Sequence, residues 1–212
     1  MRILVTGGSR GIGKDICEKF KNEGHEVISP TREDLDLSKP LSFIPEKIDI
    51  LVNNAGINLV DSIFEGENYE EIMTVNYFSP TRLFKLCFPY MKKQNYGRII
   101  NIGSVWVDYA KPGRSAYSAS KNALHSLTKA ITAEYGSYNI IANTVSPGFF
   151  ITDMTFQNNS EEDIKELRSK IPLGRLGYTN EVADLVYFLS VQNSYISGQN
   201  IVIDGCYSCT AK

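Results

Sequence analysis

Ser104, Tyr117 and Lys121 are the side chains whose types and spacing point most directly to chemistry. Tyrosine and lysine stand in the run Tyr117-Ser118-Ala119-Ser120-Lys121, thirteen residues after the serine. On a helix, residues four apart share a face, one turn from each other. A free tyrosine has a pKa of about 10, so near neutrality it exchanges protons only with help. An ammonium one turn away gives that help by favouring the phenolate. Lowering the pKa by about three units corresponds to about 4 kcal/mol of differential stabilisation. The same spacing also suits a solvated surface pair, so the elements around it must decide between proton transfer and decoration.

The N-terminal elements favour chemistry. Arg2 to Val5 reads as a buried strand and runs directly into Thr6-Gly7-Gly8-Ser9-Arg10-Gly11-Ile12-Gly13. Ile16, Cys17 and Phe20 then continue as one helix face, before a second strand around Val27. A glycine-rich turn between strand and helix lets backbone approach a pyrophosphate, whose charge sits on the helix N-terminus. The spacing is G-x-x-x-G-x-G rather than G-x-G-x-x-G. Such turns also serve simply to reverse the chain.

Further apolar runs suggest strands over Glu26–Ser29, Ile48–Val52, Arg98–Ile102, Ile140–Val145 and Ile201–Ile203. Helical patterns lie near 12–23, 68–92, 115–136, 161–170 and 179–191. Alternation of this kind predicts an α/β fold: a single Rossmann-type doubly wound parallel sheet, with helices on both faces and ligand at the carboxyl ends of the strands. One crossover is short. Asn53 follows Asp36 by only seventeen positions, and Pro40 and Pro45 fall within 38–47, where a helix is expected to be shortened or missing.

In order along the chain, the glycine turn, Asn53-Asn54-Ala55-Gly56, Val75-Asn76, Ser104, Tyr117 with Lys121, Ser146-Pro147-Gly148 with Thr152, and Ser197-Gly198-Gln199 with Asp204-Gly205 span nearly its whole length. On these motifs the chain resembles the non-extended branch of the short-chain dehydrogenase/reductase family, including 3-oxoacyl-carrier-protein reductases and related carbonyl reductases. The resemblance implies hydride transfer to or from a carbonyl carbon. Tyr117 would be the general acid or base, Ser104 would stabilise charge on the oxygen, and Lys121 would tune Tyr117 and bind cofactor ribose. Asn76 would hold a water that links Lys121 to solvent. Ser104 could instead merely cap a helix, and Asn76 merely satisfy buried backbone.

The resemblance also implies a dinucleotide site. Gly7, Ser9, Arg10, Gly11, Ile12 and Gly13 form the phosphate turn, and Asp36 and Leu37 belong to the adenine-contacting stretch. Asn53, Ala55 and Gly56 line the cleft, Tyr117 and Lys121 meet the cofactor, and Thr152 after Pro147-Gly148 holds the nicotinamide carboxamide. NAD-binding relatives carry an acid at the end of the second strand. Here Ile28-Ser29-Pro30-Thr31-Arg32 has none before Glu33, while Arg10 and Arg32 could grip a 2′-phosphate. NADP(H) is therefore expected over NAD(H).

The expected substrate is a small molecule, a sugar or an acyl thioester. Trp106, Val107, Tyr109 and the stretch from Phe149 to Arg175 are the expected substrate contacts. Helices around 68–92 and 115–136 resemble those of family homodimers and homotetramers, with Tyr77, Phe78, Phe84 and Phe88 as interface or core. A catalytically silent dinucleotide-binding sensor or scaffold is the alternative, although such relatives typically lose the tyrosine or lysine. An extended-branch epimerase or dehydratase would need different glycine spacing.

A chain of 212 residues suits one domain spanning 1–212. A formal charge of −2 and no basic cluster give no footprint for nucleic acid. No signal peptide or membrane-length apolar run is visible, so a cytoplasmic location without membrane association is the expectation. Cys17 and Cys87 read as core residues. Cys206-x-x-Cys209 lacks the second ligand pair zinc requires, and no metal site is expected. His125, one turn beyond Lys121, is assigned no chemistry.

Overall fold

Six apolar runs pair as one parallel sheet: β1 (Arg2–Val5), β2 (Glu26–Ile28), β3 (Ile50–Asn53), β4 (Gly97–Ile102), β5 (Ile140–Pro147) and β6 (Asn200–Ile203). The order across the sheet is β2-β1-β3-β4-β5-β6, so the chain reverses its direction of winding between β1 and β3. Ligand crevices open at such a switch point. The computed structural model describes residues 1–41, 46–60, 62–64, 66–109, 111–157 and 160–210.

Strand pleating sends alternate side chains to opposite faces, and β1 uses both. Ile3 and Val5 pack with Ile16 and Phe20 of α1 (Gly11–Asn22) and, later in the chain, Val182 and Val186 of the last helix. Leu4 points the other way, into a cluster with Leu51, Ile99, Leu83, Met91 and Ile131. That second face is covered by the α2–α3 region and α4. Here α2 is Tyr69–Met73, α3 is Ser79–Gln94 and α4 is Ser115–Tyr135. The later helices are α5 (Asp153–Gln157), α6 (Glu161–Lys170) and α7 (Thr179–Tyr187).

Two departures from the sequence pattern matter for the site. The expected single helix over 68–92 is interrupted by a wide π-type turn, Thr74–Phe78, between α2 and α3. Such turns put an extra residue into the helix and occur often at functional positions; Asn76 lies in this one. Among the described residues of the short crossover, none is helical, and 42–45 fall outside them. The flank is closed instead by a run of turns, from which Leu35 and Leu37, 5% and 8% exposed, plug the second cluster beside Ile48.

Phe84 and Phe88 are core in this chain, stacked with Tyr135, whereas Phe78 and Leu86 remain exposed. Cys17 and Cys87 are buried and free, and burial raises both thiol pKa values, Cys87 to about 12. His125 sits against Thr144 at 3.3 Å within the α4–β5 packing. Among the described residues no helix is long and apolar enough to cross a membrane, and no cluster could hold a metal ion.

Candidate active site

A cavity of about 500 Å³ opens at the carboxyl ends of β1, β3, β4 and β5. Its first wall is the turn from β1 into α1, with Gly7, Ser9, Arg10, Gly11, Ile12 and Gly13. A side chain at Gly13 would overlap the Gly7 carbonyl and the Asn54 amide, so only glycine lets α1 start this close to the strand. The first turn of α1 carries no acidic residue, and its unpaired N–H groups face a space able to take an anion. Two glycine-bearing loops are sewn together here. The Thr6 hydroxyl oxygen accepts from the N–H groups of Asn54 and Ala55, both at 3.1 Å, while Asn54 Nδ2 donates to the carbonyls of Thr6 and Gly7. A small-residue cradle, a free helix N-terminus and Arg10 suit the pyrophosphate of a dinucleotide.

The second wall follows β2. Arg32, Asp36 and Leu37 line it, and Asp36 is held by the N–H and hydroxyl of Ser38 at 2.9 and 2.7 Å. Those hydrogen bonds, with Arg32 and Lys39 nearby, keep the Asp36 carboxyl below its ordinary pKa. Arg32 Nε is 3.9 Å from Asp36, a loose contact that leaves the guanidinium side chain 76% exposed. Asp34 is engaged locally by Thr31, and no carboxylate of 29–31 exists to face a ribose.

The third wall carries Ser104, Tyr117 and Lys121. Ser104 caps the short turn Val105–Val107, its Oγ accepting from Trp106 N–H at 3.2 Å, and it shares the wall with Tyr117, whose pKa it lowers against the effect of burial. Lys121 is 3% exposed, and its Nζ donates to the Ile102 carbonyl at 2.7 Å, 5.7 Å from the Tyr117 ring centre. Burial pushes the Lys121 pKa down to about 8.

One expectation needs correction. The Tyr117 pKa is raised, not lowered, because burial outweighs everything else. The groups that oppose burial are the Ser104 hydrogen bond and the charge of Arg114, and Lys121 is not among them. Lysine and phenol are both desolvated, and the lysine is drawn toward the β4 carbonyl rather than toward the hydroxyl.

Asn53 and Asn76 do not line the cavity. Asn53 is 2% exposed and donates to Asn101 Oδ1 at 2.8 Å inside the sheet, so the expectation that it lines the cleft passes to its neighbour Asn54. Asn76 stands just behind Gly56. Its Oδ1 and Lys121 Nζ lie 3.2 and 3.3 Å from where a Gly56 side chain would begin, so glycine is what lets the loop pass between them. Both N–H bonds of the Asn76 amide are engaged, to Ile57 O and Ser120 Oγ.

Pro147, Gly148 and Thr152 close the fourth wall with Phe149 and Phe150. Phe149 stands edge-on between Trp106 and Tyr207, and packs on a small cluster of Ile164, Ile171 and Leu176. This satellite core anchors the 149–175 stretch, in which, among the described residues, the wall residues fall within 149–155. Trp106 lines the cavity; Val107 and Tyr109 do not, and Tyr109 donates to the Ser208 carbonyl instead. Lys111 and Arg114 also line it, and sequence reasoning passed over both. Cationic side chains just before a candidate tyrosine were the available signal.

Residues 42–208 match the family model described as enoyl-(acyl carrier protein) reductase. The chain is 36% identical to the 3-oxoacyl-[acyl-carrier-protein] reductase of Vibrio cholerae, covering 95% of each. It superposes on a 4-hydroxyisoleucine dehydrogenase complexed with NADH, with TM-score 0.90, 26% identity and 99% of both chains covered. A gluconate 5-dehydrogenase from Burkholderia cenocepacia, solved with NADP and tartrate, superposes with TM-score 0.85 at 26% identity, covering 99% of this chain and 96% of that one. A dinucleotide cradle at the sheet's switch point, a serine–tyrosine pair beside a buried lysine and relatives along the full length lead to one assignment. The chain belongs to the short-chain dehydrogenase/reductase family and is an NAD(P)-dependent oxidoreductase acting on CH–OH and C=O groups.

Proposed function

We propose that the protein reduces a small-molecule carbonyl to the alcohol with NADPH, and that Tyr117 delivers the proton. The observation that carries this reading is Ser104 and Tyr117 together on the cavity wall, with Lys121 buried and its ammonium 5.7 Å from the Tyr117 ring centre. When bound, the nicotinamide supplies the hydride. A pKa held above the ordinary phenol value keeps Tyr117 protonated at neutral pH, as a general acid needs. Ser104 donates to the same substrate oxygen and disperses the charge that grows there. Lys121, cationic below about pH 8, has N–H groups beyond the one given to Ile102, and these suit ribose hydroxyls.

Arg10 and Arg32 favour the 2′-phosphate of NADPH, and no acidic residue at the end of β2 competes for a ribose diol. Pro147, Gly148 and Thr152 suit the carboxamide end, with Asp36 and Leu37 at the adenine. The acyl, sugar and small-alcohol chemistries in the relatives' names all fit a carbonyl reduction of this kind. The protein assembles as a homodimer or homotetramer through α3 and α4, where Leu86 of α3 and Phe78, the last residue of the turn before it, are 53% and 46% exposed.

The test is NADPH oxidation followed against ketones, sugars and 3-oxoacyl thioesters. Tyr117→Phe should abolish turnover while NADPH still quenches the fluorescence of Trp106, the single tryptophan. Turnover surviving in Tyr117→Phe removes Tyr117 from this role. Binding without turnover of any carbonyl favours the silent sensor.

A further inference from the structure

We propose that Arg114 makes the site selective for substrates carrying a carboxylate near the reacting carbonyl, so that oxo acids and their hydroxy-acid products are the preferred pair. The inference rests on the reading of Tyr117 as proton donor, because it places the carboxylate relative to that group.

Arg114 lines the cavity with Ser104 and Tyr117, and its charge acts on the Tyr117 phenol. Its Nη1 donates to the carbonyl and to Oδ1 of Asn58, at 3.0 and 2.7 Å. Asn58 is neutral, so the bonds fix the guanidinium without cancelling its charge. No ion pair involving Arg114 exists among the described residues. Glu71 and Asp153 are carboxylates of the same cavity, yet neither is among the groups acting on Arg114. Burial works against this cation, with only Tyr117 opposing.

A structural role does not account for the charge. Arg114 occupies the N-cap of α4, a position that prefers Ser, Thr, Asp or Asn, and its side chain makes no capping bond. A cation there opposes the helix dipole. A neutral donor would hold Asn58 as well. What a half-buried guanidinium that lines a cavity and gives only Nη1 to Asn58 offers is a planar fork for a carboxylate. Lys111 reinforces the sign, standing 5.4 Å from the centre of the Trp106 ring on the same wall.

The experiment compares kcat/KM for short 2-oxo and 3-oxo acids with those for their primary amides, using the purified protein and NADPH. Wild type should prefer acid over amide by about 10- to 100-fold, the range for a charge-assisted pair in a desolvated site. Arg114→Gln, which keeps a donor for Asn58, should bring the ratio near one, and Arg114→Lys should retain part of it. A residue that only pins Asn58 would lower both substrates together and leave the ratio intact, which overturns the proposal. A second arm needs no variant: succinate should compete with a neutral ketone in wild type and succinamide should not. Turnover of neutral carbonyls with a wild-type ratio near one sinks the Arg114 inference alone. No oxidation of NADPH by any carbonyl sinks the underlying reading with it.

Discussion

Asn76 holds both backbone polar groups of Ile57: its Oδ1 accepts from the N–H at 2.9 Å and its Nδ2 donates to the carbonyl at 2.9 Å. The second Nδ2 hydrogen goes to Ser120 Oγ at 3.0 Å, and Ser120 in turn donates to the Tyr117 carbonyl at 2.7 Å. One fully buried amide therefore ties the loop after β3 to the helix that carries Tyr117 and Lys121. The wide turn at Thr74–Phe78 is what aims it there.

Removing that amide leaves several buried groups unpaired. Each costs about 1–3 kcal/mol, so Asn76→Ala should destabilise the protein by about 3 kcal/mol and lower kcat as the loop and helix lose their tie. Urea unfolding measures the first effect and steady-state kinetics the second. A stability loss below about 1 kcal/mol would show the tie to be dispensable. Asn76→Asp should do no better than alanine, since a carboxylate keeps the acceptor but loses both donors.

Lys121 makes stability depend on pH in a definite direction. Its pKa is about 8 in the folded state against 10.5 ordinarily, so the unfolded chain holds more protons between those values. The desolvation cost is fully present below pH 8 and is relieved as pH climbs from 8 to 10.5, in total by about 3 kcal/mol. Lys121→Met lacks the effect. The stability of wild type relative to Lys121→Met should therefore rise between pH 7 and pH 10, read from urea midpoints at each pH. A difference independent of pH, or one that falls, contradicts the buried ammonium.

What was legible in the sequence was local. Tyr117 and Lys121 share a helix face by spacing alone, and the glycine turn lies between a strand and a helix by position alone; both features appear where they were read. The features that escaped depend on residues far apart in the chain. Nothing local distinguishes Asn53, turned into the sheet toward Asn101, from Asn54, turned out to Thr6 and Gly7. Arg114 was missed because its meaning comes from Asn58, fifty-six residues earlier. Spacing likewise fixes which face Lys121 shares with Tyr117, but not that the Ile102 carbonyl draws its ammonium away.

The arginines of the first two walls predict the cofactor. If Arg10 and Arg32 hold a 2′-phosphate, then Arg10→Ala and Arg32→Ala should each raise the KM for NADPH about tenfold and leave that for NADH within about twofold. Both side chains are exposed, so added salt should weaken NADPH binding more than NADH binding. Equal loss for the two nucleotides would assign these arginines to the shared pyrophosphate instead.

The glycine turn can be tested without touching any charged group. A methyl at position 13 overlaps the Gly7 carbonyl oxygen and the Asn54 amide nitrogen, and neither can retreat, because Asn54 is already bonded to the carbonyls of Thr6 and Gly7. The start of α1 must then move away from β1, widening the cradle that faces the pyrophosphate. Gly13→Ala should cost about 1–3 kcal/mol of stability from overpacking. It should also weaken NADPH binding at least tenfold, followed by quenching of Trp106. Gly136→Ala is the matched control. Position 136 has φ −58° and nothing within 4 Å of the added methyl, so that variant should bind normally and be no less stable than wild type. Normal NADPH affinity in Gly13→Ala would mean that the β1–α1 turn does not meet the cofactor.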